Sequence, residues 1–408
     1  MKNNLLPLYF TNFFGVFNDN LLKGLICLIG VYWVAEENAS VVIMLATGFL
    51  VLPFILFSPY AGFLSKTLNK QKFVVYLKIG ENFIMLLAAF GFWSENLYIV
   101  MLAMFLMGLQ STFFSPMKFA LIKDIGGIEK SSIGTGTIEM TTFLGVLLGT
   151  FLAGILTDIE ELRILWITVC LFSVSFSGLF SALLIRAVEP KPLTIKIKPM
   201  NFVKYIIRKH KWSKYNVPGL NTVVFGLSMF WLIASLIQLN LFVHCPITMG
   251  LSGTQTGLIL ALVAISIGLG SFLSGVAAKK RVETGLIPIG GIGFVLSIFL
   301  IYILNPGTVV FTILIAIAAF MAGFMKTPLN AWMQVHVKGR KLGDAIAYNN
   351  LINFIFILVS AGIFGIAESN YGSHKVFLIV GILAVFMILY LFFKIYDIKE
   401  SLKRILKF

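Results

Sequence analysis

Apolar side chains run along this chain in long unbroken stretches, without the period-two alternation of half-buried strands or the narrow stripe of surface helices. Twelve stretches fall at roughly 5–34, 41–64, 73–93, 97–122, 133–157, 162–187, 217–246, 254–277, 286–304, 308–335, 344–367 and 374–396. An α-helix rises about 1.5 Å per residue and a bilayer core is about 30 Å thick, so each stretch predicts one membrane-spanning helix. The predicted fold class is all-α, a polytopic membrane protein of twelve transmembrane helices. The first stretch is too long for a signal-peptide core and has no small-residue cleavage site, so it is expected to be a retained helix.

Polar residues inside these stretches are few, and their cost in lipid makes each a candidate for function. The first stretch carries Phe17-Asn18-Asp19-Asn20-Leu21-Leu22-Lys23 near its middle. Asp19 and Lys23 stand one helical turn apart, so they are either a functional pair or two charges that neutralise each other. The other intramembrane ionisable residues are Lys78, Glu81, Lys118, Glu139 and Lys326, which makes four cations against three anions. That excess suits a cavity that receives a phosphate, because an unpaired buried cation is costly until an anion arrives.

Lys118, two residues after Pro116, either snorkels to the interface or faces a cavity with Asp19 as its counter-ion. Glu139 opens the fifth stretch, where it either ties a helix start to Lys118 or Lys123 or carries a proton. Lys326, two residues before Pro328, lies too deep to snorkel. Lys78 and Glu81, three apart, are expected to pair on one face as a structural element. Asn18, Asn20, Gln110, Asn330, Asn349, Asn350 and Asn353 can join helices without charge, and of these Asn349 and Asn350 are expected to add to a substrate shell. Gly145, Gly149 and Gly154 have the spacing of close helix packing.

Composition agrees with the pattern: 59% hydrophobic and 12% charged residues, with a mean hydropathy of +0.95, exclude a soluble globular domain. The net charge of +15 does not point to nucleic acid, because the basic residues fall between the stretches. Even-numbered connections hold Lys66, Lys70 and Lys72, then Lys123 and Lys130, then Lys279, Lys280 and Arg281, then Lys338, Arg340 and Lys341. Odd-numbered ones hold Glu36, Glu37, Glu95, Asp158, Glu160, Glu161 and Glu368. This bias predicts a multi-pass cell-membrane protein with both termini cytoplasmic.

The longest connection, 188–216, is a basic cytoplasmic linker between halves 1–187 and 217–396, and 397–408 is a basic tail. Either basic segment can lie on an anionic leaflet at about 1 kcal/mol per cation, although a solvated linker is the simpler expectation. Cys27, Cys170 and Cys245 are isolated, and the four histidines lack an adjacent acid, so no metal site, cofactor or catalytic constellation is predicted. Gly290-Gly291-Ile292-Gly293 opens a spanning helix and is not a nucleotide loop.

The halves look like copies. Ser115-Pro116-Met117-Lys118-Phe119-Ala120, a loop and Gly134-Thr135-Gly136-Thr137-Ile138-Glu139 correspond to Thr327-Pro328-Leu329-Asn330-Ala331-Trp332, a loop and Gly343-Asp344-Ala345-Ile346-Ala347-Tyr348-Asn349. Parallel six-helix repeats predict a midplane substrate site and alternating access.

Together with Phe17-Asn18-Asp19-Asn20 and Asn349-Asn350, these residues resemble the lysophospholipid transporter family of the major facilitator superfamily. The resemblance implies inward movement of lysophosphatidylethanolamine and lysophosphatidylglycerol across a bacterial inner membrane for re-acylation. It also implies a functional link to a separate acyltransferase, a monomer, and no enzymatic activity.

Two departures stand out. The superfamily's loop after the second helix has an aspartate where Lys66 follows Gly62-Phe63-Leu64-Ser65, and the family's cavity arginine of the seventh stretch aligns with Gln238. Lys326 is expected to supply the cation missing at Gln238. Drug antiporters of the superfamily have a glycine-proline pair where Gly149 precedes Thr150, which counts against that alternative.

The expected substrate shell is therefore Asn18, Asp19, Asn20, Lys118, Glu139, Gln238, Lys326, Asn330, Asn349 and Asn350, around a lipid or amphipathic small molecule. Other open readings are a transporter of the same fold for a drug, siderophore or metal chelate, and an integral-membrane acyltransferase or hydrolase. Coupling to protons, to sodium or to a lipid gradient alone also stays open.

Overall fold

The computed structural model describes residues 4–34, 38–127, 131–189, 202–278, 282–337 and 341–406. Among them the chain forms helices α1 (Leu6–Leu28), α2 (Ala39–Thr67), α3 (Lys70–Trp93), α4 (Leu97–Gly126), α5 (Ser131–Asp158), α6 (Arg163–Leu183) and α7 (Phe202–Asn216). Then come α8 (Leu220–Val243), α9 (Gly253–Ala277), α10 (Leu286–Leu304), α11 (Thr308–His336), α12 (Lys341–Tyr371), α13 (Ser373–Lys394) and α14 (Ile398–Leu406), and no strand occurs among the described residues. Twelve of these helices, all but α7 and α14, are long and apolar enough to cross a membrane. The chain is a multi-pass membrane protein of the predicted class.

The described part of the linker is not all irregular, for α7 is a helix. Its Tyr205, Ile206, Lys209 and Ser213 turn inward at helical spacing, with Ser213 buried. The linker residues 190–201 and the cations of 279–281 and 338–340 lie outside the described residues.

Two compact units divide the chain: Met1–Phe202 with Ser252–Leu258, and Val203–Leu251 with Ile259–Phe408. In the first, α1 packs on α5, α6 and α4, while α3 packs on α4 and α6. The fit of α1 to α5 depends on small residues. A Cβ at Gly149 would strike the Phe17 carbonyl, and one at Gly145 would come within 3.0 Å of the Phe13 carbonyl. Thus α5 can rest against the α1 backbone that carries Asn18 and Asp19.

At the start of α3, the Glu189 carboxylate accepts the backbone N–H groups of Lys70 (2.6 Å) and Gln71 (2.7 Å), and Lys70 Nζ pairs with Asp124 at 2.7 Å. An acidic side chain from the start of the linker thus meets the free N–H groups of a helix start. At the end of α5, Asp158 does the same for Gly253 and Thr254, both at 2.7 Å.

In the second unit, α8 packs on α12, α13 and α11, while α10 packs on α11 and α13. Every one of these pairings has its counterpart in the first unit, as duplicated six-helix halves require. Hydroxyls join the helices: Ser228 donates to Asn353 at 2.8 Å and Ser360 to Ser235 at 2.8 Å. Proline stands inside α4 (Pro116) and α11 (Pro328) at matching points of the two copies.

Candidate functional site

Three helices of the first unit bring a charged cluster to its centre. On α3, Lys78 and Glu81 are both fully buried and joined at 2.6 Å from Nζ to Oε2. From α1, Asn18 Nδ2 donates to Glu81 Oε1 at 3.1 Å, and from α4, Gln110 Nε2 donates to Oε2 at 3.0 Å. The buried carboxylate therefore has three donors, which is what makes burial of an ion pair tolerable. The lysine head occupies a niche made by an absent side chain, since a Cβ at Gly15 would lie 2.7 Å from Lys78 Nζ. The expectation of a Lys78–Glu81 pair is met, but the pair is the hub of a network that also takes in the helix 1 candidates.

Asp19 is half-buried, and its two carboxylate oxygens lie 3.0 and 2.9 Å from the Ser111 hydroxyl. Among the described residues it forms no direct ion pair with Lys23 or with Lys118, the cation it was expected to balance, although the Lys118 charge acts on it at longer range. The reason is geometric: Asp19 faces α4 at the level of Ser111, seven residues or about two turns before Lys118. Lys118 Nζ instead donates to Asn12 Oδ1 at 2.7 Å. Asn12 is fully buried, and its Nδ2 donates to Ile138 O (3.2 Å) and to the hydroxyls of Thr141 and Thr142 (both 3.0 Å) on α5.

Asn12 was missed by sequence reasoning. Its signal was the same as that of Asn18, an amide inside the first spanning stretch. Asn20 spends its amide on its own helix, donating to Val16 O at 2.8 Å. The side chain of Glu139 lies outside the described residues. The Phe114 ring lies between two cations, with Lys78 Nζ 5.5 Å and Lys118 Nζ 5.8 Å from its centroid.

The second unit is built differently. Lys326 lies half-buried on α11 with Nζ 4.8 Å from the Trp231 ring centroid and 5.6 Å from that of Phe230. Gln238 and Asn330 are half-buried. Asn349 is buried and its Oδ1 has no hydrogen-bond partner among the described residues, whereas Asn350 is exposed. Consecutive helical positions lie about 100° apart, so these two asparagines do not share a face. Asn240 on α8 is fully buried with neither amide atom hydrogen-bonded among the described residues, an arrangement no sequence pattern announced.

Beside Lys326 lies an apolar cavity of about 40 Å³, bounded by α8, α9, α10, α11 and α13, with Phe230, Ile237, Phe294, Ile315 and Ala319 in its wall.

A family model described as Major Facilitator Superfamily matches residues 5–361. The Lysophospholipid transporter LplT of Klebsiella pneumoniae subsp. pneumoniae is 24% identical over 391 residues, covering 95% of this chain and 94% of that protein. The chain also resembles the crystal structure of D-xylose-proton symporter, with a TM-score of 0.71 at 14% identity over 97% of this chain and 98% of the other. The human organic anion transporter MFSD10 (TETRAN) gives 0.66 at 15% identity, with 95% and 99% covered. Likeness at such identity speaks for the fold alone.

Proposed function

The chain belongs to the Major Facilitator Superfamily, and from that premise we propose that it is a secondary transporter moving lysophospholipids by alternating access of two halves, 1–187 and 217–396. The observation that carries this reading is the full-length similarity to a lysophospholipid transporter, over nearly all of both chains. The geometry supports it. An amphipathic substrate needs polar groups for its head and apolar walls for its chain, and the described residues supply a charged cluster in one unit and an apolar cavity in the other.

In this reading Asp19 and Lys118 meet the charged head group, with Ser111 and Asn12 holding them in place. Lys326 adds a cation on α11, supplying what Gln238 lacks, and Asn330 and Asn349 add neutral donors and acceptors. No covalent step is involved, and re-acylation falls to a separate acyltransferase. The protein works as a monomer in the cell inner membrane with both termini cytoplasmic, as the distribution of Lys and Arg between connections supports.

The test is transport by purified protein in proteoliposomes. Labelled lysophosphatidylethanolamine is expected to cross, with lysophosphatidylglycerol as competitor and a hydrophilic sugar without effect. Failure of either lysolipid to cross or compete overturns the reading, as does conversion of the lipid into an acylated or hydrolysed product by the purified protein alone.

A further inference from the structure

We propose that the outer face of α7 is a docking surface for anionic phospholipid head groups, those of the leaflet on the basic side of the protein. This goes beyond the transported substrate and does not depend on it.

The helix is pinned where two spanning helices begin. His210 Nδ1 lies 3.2 Å from the hydroxyl of Tyr348, in the first turn of the apolar span of α12 that starts at Ala345. Asn221 Nδ2, in the first turn of α8, donates to the His210 carbonyl at 3.3 Å. Between α7 and α8 lie only Val217, Pro218 and Gly219, a connection that reaches about 10 Å when fully extended. The helix is therefore held beside the membrane surface, with Tyr205, Ile206 and Ser213 turned inward.

What it presents outward suits an anionic leaflet. At about 100° per residue, Lys204, Ile207, Arg208, Lys211, Lys214 and Tyr215 fall within about 120° of the helix circumference, and all six are exposed. No Asp or Glu occurs in α7, so the helix supplies no counter-charge to these four cations. Among them stand Ile207 and Tyr215, which are 51% and 78% exposed. A face turned only to bulk water gains nothing from such residues, whereas at a bilayer surface they enter the interface while the cations snorkel to phosphate. Clusters of about four to eight Lys and Arg directly beside a spanning helix hold to anionic lipid in this way.

The experiment is amide hydrogen exchange on the full-length protein in nanodiscs of phosphatidylcholine alone and of phosphatidylcholine mixed with phosphatidylglycerol. In the anionic bilayer the amides of α7 are expected to exchange at least about fivefold more slowly, the factor that a single engaged cation supplies. The slowing is expected to vanish in about 1 M salt, where the screening length falls to about 3 Å. It is also expected to vanish in the variant combining Lys204→Gln, Arg208→Gln, Lys211→Gln and Lys214→Gln, since glutamine preserves helix propensity and removes only the charge.

Equal exchange of α7 in the two bilayers overturns the proposal. So does a slowing that survives either the salt or the glutamine substitutions, which would assign it to a contact other than charged head groups. An equal slowing at residues 158–162, on the acidic side, would make the effect general to the bilayer and overturn it as well. Should the variant not fold, the salt dependence of the wild type decides. Transport is not the readout, so failure here leaves the lysophospholipid reading as it stands.

Discussion

The two units share their helix pairings but not what lies inside them. At the centre of the first, α1, α3 and α4 enclose an ion pair with amide donors around it; in the second, α8 to α11 and α13 surround a void with a lysine at its edge. Copies of one architecture have thus been given opposite solvation problems. In the first, the cost of burying charge is offset by hydrogen bonds that lock helices together. In the second, the described wall of the cavity is apolar.

The sharpest way to break this comparison is to remove one charge from the buried pair. Lys78→Met strands Glu81 and is expected to destabilise the protein by about 3–5 kcal/mol, read as earlier thermal unfolding in detergent. Lys78→Met together with Glu81→Leu should recover most of that loss. A single variant that unfolds like the wild type would show that the pair is not what holds the first unit together.

Next in size is Asp19→Asn. It keeps the shape and the contact with Ser111 but loses the charge, so transport is expected to fall about tenfold or more, about 1.4 kcal/mol, with unfolding unchanged. Transport at the wild-type rate would return Asp19 to a structural role.

Asn240→Leu probes the second unit. Removing a buried amide that has no partner should stabilise it by about 1–3 kcal/mol, and a lower unfolding temperature would mean that the amide is satisfied by a group that moves with transport. The smallest effect belongs to Lys326→Gln, which should change the preference between anionic and zwitterionic lysolipids about threefold, the scale of a partly exposed charge contact. An unchanged preference removes Lys326 from the head-group contacts.

The elements were legible in the sequence because lipid forces every spanning segment into one long apolar helix, and a pattern that strong survives without knowledge of contacts. The candidate residues were legible for the same reason: a charge or amide in such a run stands out, as Asp19, Lys118 and Lys326 did. Partners were not legible. Whether Lys118 meets Asp19 or Asn12 depends on the rotation of α4 against α1 and on their relative height, which a list of polar positions does not contain. The rank of Lys78 and Glu81 was missed because a pair three residues apart explains itself locally, and Asn18 and Gln110 join it only through the packing of other helices. The cavity was invisible, since a void is a property of five helices at once.

Pro116 gives α4 a joint. Proline has no N–H to give to the carbonyl four residues earlier, so α4 lacks a backbone bond at Thr112 and can flex there without breaking one. Gln110 and Ser111, which hold Glu81 and Asp19, lie on one side of that joint; Lys118, which holds Asn12, lies on the other. The helix is therefore a lever with its fulcrum between two polar attachments. Bending at that joint would therefore change the separation of the Gln110 and Lys118 attachments.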